Sequence, residues 1–287
     1  MSRSGARRDR MARALARLPS PAQRLLRLAF VAVRVTSGPR SLLAYLRLSR
    51  IRRHEGSGGR AVRVRLRPLQ GREFLLRPST SDADTVWGTF AGHYHLPPPE
   101  AAEPRLIWDL GANIGLTMAD MAVRFPAARI VGVEIDPENA ELARRNLAPW
   151  SERCEVLQAG VWPEDGQIRY HRLAGGTAGH HVADVPAGAE APGVATAPAI
   201  SPATLLARSG PGAVVDFAKV DIEGAERELL RTGADWAAQV RTITVEVHEP
   251  YSAQECERDL RALGFSTRVD PRHWACVVGV RTGKPPV

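Results

Sequence analysis

Lysine is almost absent. Lys219 and Lys284 are the only two among 39 basic residues, a bias that reads as genome composition and carries little physical meaning. Cysteine is scarce as well. Cys154, Cys256 and Cys276 stand alone, with no C-x-x-C pair. That excludes a disulfide framework and a structural zinc site, and it leads us to expect buried thiols in a reducing, cytoplasmic setting. No run of 18 apolar residues occurs, so no membrane-spanning helix is expected. The longest apolar run near the start, Leu28 to Val33, is closed by Arg27 and Arg34, too short for the core of a secretory leader. What is present suits a folded chain. Of 287 residues, 44% are apolar and 24% charged, which excludes wholesale disorder. The 25 glycines and 22 prolines imply several long loops.

The net charge of +8 is unevenly spread. Residues 1–60 carry fifteen arginines against Asp9 and Glu55, whereas residues 61–287 are mildly acidic. A basic arm of this kind suits a nucleic acid, an anionic membrane surface or an acidic partner. Leu25, Leu26, Leu28, Ala29 and Val33 fall on one side of a helix flanked by Arg24, Arg27 and Arg34, the pattern of an interfacial amphipathic helix. The plainer reading, a helical extension packed on the body, is preferred. Nucleic acid ranks last, because Phe30 and Tyr45 are the arm's only aromatics for stacking on bases.

The organisation expected is an N-terminal extension over 1–60, a small β-containing lead-in over 61–104 and a main domain over 105–287. Ala61 to Leu66 alternates as a strand, with Glu73 to Leu76 as partner. From Arg105 onward strands and helices alternate. Asp136-Pro137 opens one helix by capping, and Ser252 to Glu255 reads as a capping box. Residues 174–212 read as loop, and Phe265 to Val269 with Trp274 to Val280 as a closing antiparallel hairpin. The fold class is α/β: a doubly wound, mostly parallel sheet with that hairpin at its end.

The segment that carries chemistry is Asp109-Leu-Gly-Ala-Asn-Ile-Gly115, between a strand and a helix. Gly111 and Gly115 permit a tight turn and close approach to a ligand. Glu134 ends the next strand at the distance where an acid accepts ribose hydroxyls. The spacing G-x-x-x-G, with Asn113 where a dinucleotide fingerprint has its middle glycine, argues against NAD. Asp109 at the loop entrance would repel a phosphate and suits a cationic ligand. S-adenosyl-L-methionine fits, because it joins a sulfonium, an ammonium and a ribose without phosphate.

Two segments, Ile107-Trp-Asp-Leu-Gly-Ala-Asn-Ile-Gly115 with Val133-Glu-Ile-Asp-Pro-Glu-Asn139, and Phe217-Ala-Lys-Val-Asp-Ile-Glu-Gly-Ala-Glu226 with Val245-Glu-Val-His248, resemble the FkbM family of S-adenosylmethionine-dependent methyltransferases. The resemblance spans roughly residues 90–280. It implies a Rossmann-like class I methyltransferase sheet and O-methylation of a small hydroxylated molecule, such as a sugar or polyketide-type metabolite. It also implies that Asp109, Gly111, Asn113 and Gly115 surround the cofactor's methionine part, that Glu134 holds the ribose, and that Ala159 and Gly160 lie near adenine. One departure stands out: Ile200-Ser-Pro-Ala-Thr-Leu-Leu206 lacks the aspartate the family usually carries before its fourth strand.

Methyl transfer to an alcohol needs an aligned nucleophile and a group to take its proton. Asp221, Glu223, Glu246 and His248 stand at strand ends where such a group belongs. Asp221, Glu223 and His248 are the candidate catalytic residues, His248 as a base with a pKa near neutrality, although a satisfied or solvated histidine is the preferred plainer reading. Mid-strand Lys219 reads as the structural partner of a carboxylate. No metal is expected. His180-His181, Glu223 and His248 could converge, but no H-x-x-x-H or H-E-x-x-H spacing occurs, and His93-x-His95 precedes prolines. Two rival functions remain. Nucleic-acid methylation is disfavoured, because the polar-Pro-Pro-aromatic motif common in base methylation is replaced by Asp221-Ile-Glu-Gly224. A non-catalytic binding protein is disfavoured by the intact loop.

Overall fold

A computed structural model describes residues 26–50, 59–171 and 193–283. Seven strands form the central sheet. They are β3 (Leu106–Leu110), β4 (Arg129–Glu134), β5 (Cys154–Gln158), β9 (Val215–Val220), β10 (Val240–Glu246), β11 (Phe265–Val269) and β12 (Cys276–Arg281). Their spatial order is β11-β12-β10-β9-β3-β4-β5. The pairs β10–β9, β9–β3, β3–β4 and β4–β5 are parallel. β12 runs antiparallel to both β10 and β11. The expected closing hairpin is present, inserted so that its second strand lies inside the sheet.

Alternation along each strand divides the side chains between two faces. Ile107, Ile130 and Phe217 enter one core, while Trp108, Val131 and Ala218 enter the other. The first core lies under α3 (Leu116–Arg124) and α4 (Pro137–Leu147). The second lies under α5 (Pro202–Ser209), α6 (Glu226–Arg231) and α7 (Ala253–Ala262). Local chemistry sets where these helices start. Asp136 accepts from the backbone N–H groups of Glu138 and Asn139 at 2.9 and 3.0 Å, with Pro137 in the first turn. Ser252 and Glu255 close a reciprocal capping box.

The lead-in shares the first core. β1 (Val62–Leu66) pairs antiparallel with β2 (Arg72–Leu76), and their Val64, Leu66, Phe74 and Leu76 are buried there. α1 (Pro39–Arg50) and the helical residues before it bury Val31, Val35, Tyr45 and Leu48 in the same cluster. The Tyr45 hydroxyl donates to the carbonyl of Ala83 at 3.0 Å. Residues 26–50 of the basic arm are therefore packed on the body.

One segment differs from expectation. Residues 194–209, read as loop, form β8 (Val194–Ile200) and α5. β8 lies between β6 (Gly160–Val161) and β7 (Gly166–His171) in a second, three-stranded sheet. Its Ala- and Pro-rich sequence has weak strand propensity, and pairing with β7 over six residue pairs overrides it. Residues 172–192, which include His180-His181, lie outside the described residues. No helix among the described residues is long and apolar enough to cross a membrane.

Candidate active site

The chain order reverses between β3 and β9, because β4 and β5 extend the sheet to one side of β3 and β9 extends it to the other. Open α/β sheets bind ligands at the carboxyl ends of such a pair. A cavity of about 250 Å³ opens there. Gly111, Ala112 and Asn113 line it from the loop after β3, and Lys219, Asp221 and Glu223 from β9 and its loop. Glu246 and His248 come from the end of β10. Asp84, Thr85 and Tyr94 close it from the lead-in, on and after α2 (Asp82–Trp87).

The glycines of the first loop have reasons within the fold. Gly111 has φ +88°, and a Cβ there would lie 1.8 Å from the Asp221 carbonyl oxygen. The loop passes directly against the backbone after β9, to which it is tied by the Asp221 N–H donating to the Leu110 carbonyl at 2.9 Å. Gly115, at φ +80°, turns the chain into α3 against Leu147 and Ala143 of α4. The close approach expected for a ligand is thus made by the protein's own backbone. Asn113 has φ +48°, a region asparagine tolerates. Its N–H donates to Glu134 Oε2 at 2.7 Å, while its side-chain Oδ1 is buried without a hydrogen-bond partner.

Charge holds the second half. Lys219 is 5% exposed, with Nζ 3.3 Å from Asp109 Oδ1 and 3.0 Å from Asp221 Oδ2. Burial alone would lower its pKa, but the two carboxylates outweigh it and hold the amine well above its ordinary value. At an effective dielectric near 20, one such contact at about 4 Å is worth about 4 kcal/mol. The expected structural pairing of Lys219 is present. Asp109 also accepts a hydrogen bond from the Thr117 hydroxyl at the start of α3.

His248 is a satisfied histidine, the plainer of its two readings, and not a neutral base. Its Nδ1 lies 2.9 Å from Glu226 Oε1, and its Nε2 lies 3.3 Å from Glu223 Oε2 and 3.8 Å from Asp221 Oδ1. Burial pulls its pKa down, but Glu226, by hydrogen bond and charge, then Glu223 and Asp221, carry it up to about 9. Glu226 is fully buried and pinned by the N–H groups of Ile222 and Gly224 at 3.2 and 2.9 Å. Glu223 sits at φ +55°, which costs a non-glycine residue roughly 1 kcal/mol or more. Burial, then neighbouring Asp221, pushes Glu246 up to about 8, and its Oε2 has no hydrogen-bond partner.

The remaining sequence candidates lie apart from the cavity lining. Glu134 ends β4, 5% exposed. Its carboxylate accepts from the N–H groups of Asn113 and Asp136 and from the Asn139 amide. Burial raises it to about 7 against those bonds. Ala159 and Gly160 are buried where β5 gives way to β6, and a Cβ on Gly160 would meet Ile168 Cδ1 at 2.2 Å. His95 is buried with Nε2 3.0 Å from Asp120 Oδ2, a structural pair remote in sequence. Glu226 and the lead-in residues are the functional candidates that sequence reasoning missed. Glu226 carried a signal in the short Gly224-Ala-Glu226 turn, whereas Asp84, Thr85 and Tyr94 meet the site only through tertiary packing.

A mostly parallel sheet with a cleft at its reversal point, Asp109 within β3 and Glu134 ending β4, is the arrangement in which α/β enzymes bind nucleoside-type ligands. Residues 109–267 match the family model described as the methyltransferase FkbM domain, and the chain belongs to that family. S-adenosyl-L-methionine is its cofactor, and the cleft fits it. Carboxyl groups at Asp109, Asp221, Glu223 and Glu246 outnumber the cations. The buried acceptors Asn113 Oδ1 and Glu246 Oε2 lack donors, as a site for a cationic, donor-rich ligand should.

Curated relatives match over shorter segments. A tRNA1(Val) (adenine(37)-N6)-methyltransferase of Porphyromonas gingivalis is 37% identical over 76 residues, 26% of this chain and 30% of that protein. The rRNA N(6)-adenosine-methyltransferase metl-5 of Caenorhabditis elegans is 31% identical over 68 residues, 23% of this chain and 32% of that protein. These matches therefore span about a third of the relatives' length. Among solved structures, an O-methyltransferase family protein from Burkholderia thailandensis gives a TM-score of 0.43 at 14% identity, covering 71% of this chain and 58% of that one. The methyltransferase FkbM from Methylobacillus flagellatus gives 0.39 at 15% identity, covering 69% and 54%.

Proposed function

We propose that this chain methylates a hydroxyl group on a small, hydroxylated metabolite of sugar or polyketide type. The observation that carries the reading is the cluster after β9 and β10, where carboxylates and an imidazole line the cleft instead of a base-reading motif. S-adenosyl-L-methionine supplies a methyl group already activated by its sulfonium. Asp109, Gly111, Asn113 and Gly115 are assigned to its methionine part, Glu134 to the ribose, and Ala159 and Gly160 to the adenine side. Asp221 and Glu223 face the cleft and are assigned to hold the substrate hydroxyl and take its proton. His248 has a carboxylate against each ring nitrogen, so its part is to fix those carboxylates. Tyr94 and Thr85 line the cleft from the lead-in and are assigned to the substrate side.

The test is calorimetry of the full chain with S-adenosylmethionine, S-adenosylhomocysteine and NAD, followed by labelled methyl transfer to a panel of hydroxylated metabolites. Binding of the first two with NAD inert, and label in an alkali-stable ether, is expected. A second reading, adenine N6-methylation of RNA, is favoured by the activities of the curated relatives. Label incorporated into total RNA and not into the panel would replace the first reading with it.

The three described cysteines are free and buried, which favours a reducing, cytoplasmic compartment. The arm offers a peripheral contact with an anionic membrane surface, since Leu26, Val33 and Leu43 are exposed amid Arg27, Arg34, Arg40 and Arg47. Its test is Val33→Asp with Leu43→Asp, two exposed positions of that surface, read by liposome sedimentation: loss of binding to anionic vesicles is expected, and unchanged binding would refute the contact. A cut at residue 55 would strip Val31, Val35, Tyr45 and Leu48 from the core.

A further inference from the structure

We infer that Asp221, Glu223 and His248 form a binding site for one divalent first-row cation beside the methyl-transfer cleft. Their ligand atoms all lie within 4.8 Å of one another. His248 Nε2 stands 3.3 Å from Glu223 Oε2 and 3.8 Å from Asp221 Oδ1. Ligands at right angles around a cation with bonds of about 2.1 Å sit about 3 Å apart, so modest adjustment closes the set. Lys219 engages Asp221 through Oδ2 and leaves Oδ1 toward the histidine.

A second observation lies outside the three ligands. Glu226, fully buried, holds His248 Nδ1 at 2.9 Å and is itself pinned by two backbone N–H groups. Metal-binding histidines are commonly held this way, a buried carboxylate fixing one nitrogen so that the other faces the ion. Without a cation, the carboxylates of Asp221, Glu223 and Glu226 share one imidazole, helped only at Asp221 by Lys219. A divalent ion offsets two of them and leaves the Glu226 pair intact. Two carboxylates with one imidazole suit Mn²⁺ or Zn²⁺ better than an all-oxygen site for Mg²⁺ or Ca²⁺. Three protein ligands leave coordination positions open toward the cleft, where substrate oxygen would bind. The assignment rests on the methyltransferase reading only for that last point.

The test uses the full chain stripped with chelator and titrated with Mn²⁺, free ion being followed by electron paramagnetic resonance. One equivalent of bound Mn²⁺ is expected. Glu223→Gln, on a partly exposed loop residue, should weaken binding at least tenfold, and Glu226→Gln should weaken it 10- to 100-fold. A native circular-dichroism spectrum and cooperative urea unfolding in both variants would show that they are folded. No Mn²⁺ uptake by the wild type, with equilibrium dialysis also showing no bound Zn²⁺, would overturn the inference. So would uptake undiminished by Glu223→Gln. Cofactor binding without metal uptake defeats this inference alone, whereas metal uptake without methyl transfer to any substrate defeats the functional reading alone.

Discussion

Two loops meet at the carboxyl edge of the sheet, and different forces hold them. The loop from Asp109 to Gly115 is shaped by contact. Gly111 lies against the Asp221 backbone and Gly115 against α4, and neither position has room for a Cβ to spare. The loop from Asp221 to Glu226 is shaped by charge. Lys219, His248 and four carboxyl groups, those of Asp109, Asp221, Glu223 and Glu226, interlock within 4 Å. The glycines that advertise a ligand loop in the sequence are fold requirements, whereas the acids of the second loop exceed anything packing asks for. Groups in excess of packing needs are where function is to be sought.

The largest effect should come from breaking the contact loop. Gly111→Ala places a methyl group 1.8 Å from a backbone oxygen that cannot turn aside. We expect loss of at least about 4 kcal/mol, or no folded protein, by urea unfolding. Glu223→Gln in the other loop should change stability by no more than about 0.5 kcal/mol, because its side chain is partly exposed. Comparable losses in both variants would erase the distinction. A Gly111 variant that fails to bind cofactor would therefore say little about the cofactor itself.

Next is Lys219, the cation that joins the loops. Lys219→Met leaves the buried Asp109 carboxylate without its cation, opposite the partly exposed Asp221, a loss of about 3–5 kcal/mol. Adding Asp221→Asn should recover part of it, and a double-mutant cycle measures the coupling. Additive losses would mean that Lys219 acts through packing.

The difference between the loops also explains what could be read in advance. Strand alternation, the Asp136 and Ser252 caps and the buried runs of β3 and β9 are local signals, and they placed the sheet and most helices. Asp221 and His248 were legible because strand ends in such sheets face the ligand. The Glu226–His248 contact joins residues 22 apart, and Tyr94 reaches the cleft from the lead-in; no periodicity encodes either. β8 was missed because Pro198 and its alanines oppose a strand until β7 supplies the pairing.

A smaller effect concerns Glu134, which braces the contact loop through Asn113. Its carboxyl is held up to about 7 in the fold against an ordinary 4.5. The folded state therefore binds its proton more tightly than the unfolded chain does. The stability this gives is complete below about pH 4.5 and is lost as the pH rises through about 7. The wild type should lose roughly 3 kcal/mol over that window relative to Glu134→Gln. Parallel pH profiles of urea unfolding for the two proteins would remove burial as the cause.

The last substitution, Asn113→Gly, should change stability little, and it sharpens the comparison most. Glycine accepts φ +48° without strain, and the backbone N–H to Glu134 is kept. The side chain lost makes no hydrogen bond through Oδ1. Stability should therefore move by less than about 1 kcal/mol. Yet a buried acceptor facing the cleft, once matched by a ligand donor, is worth about 1 kcal/mol of binding, so affinity for S-adenosylmethionine should fall about fivefold to tenfold by calorimetry. Such a result would mean that the contact loop serves the ligand through this one side chain, while its glycines serve the fold. Unchanged affinity would leave the contact loop purely structural and assign recognition of the cationic ligand to the charged loop.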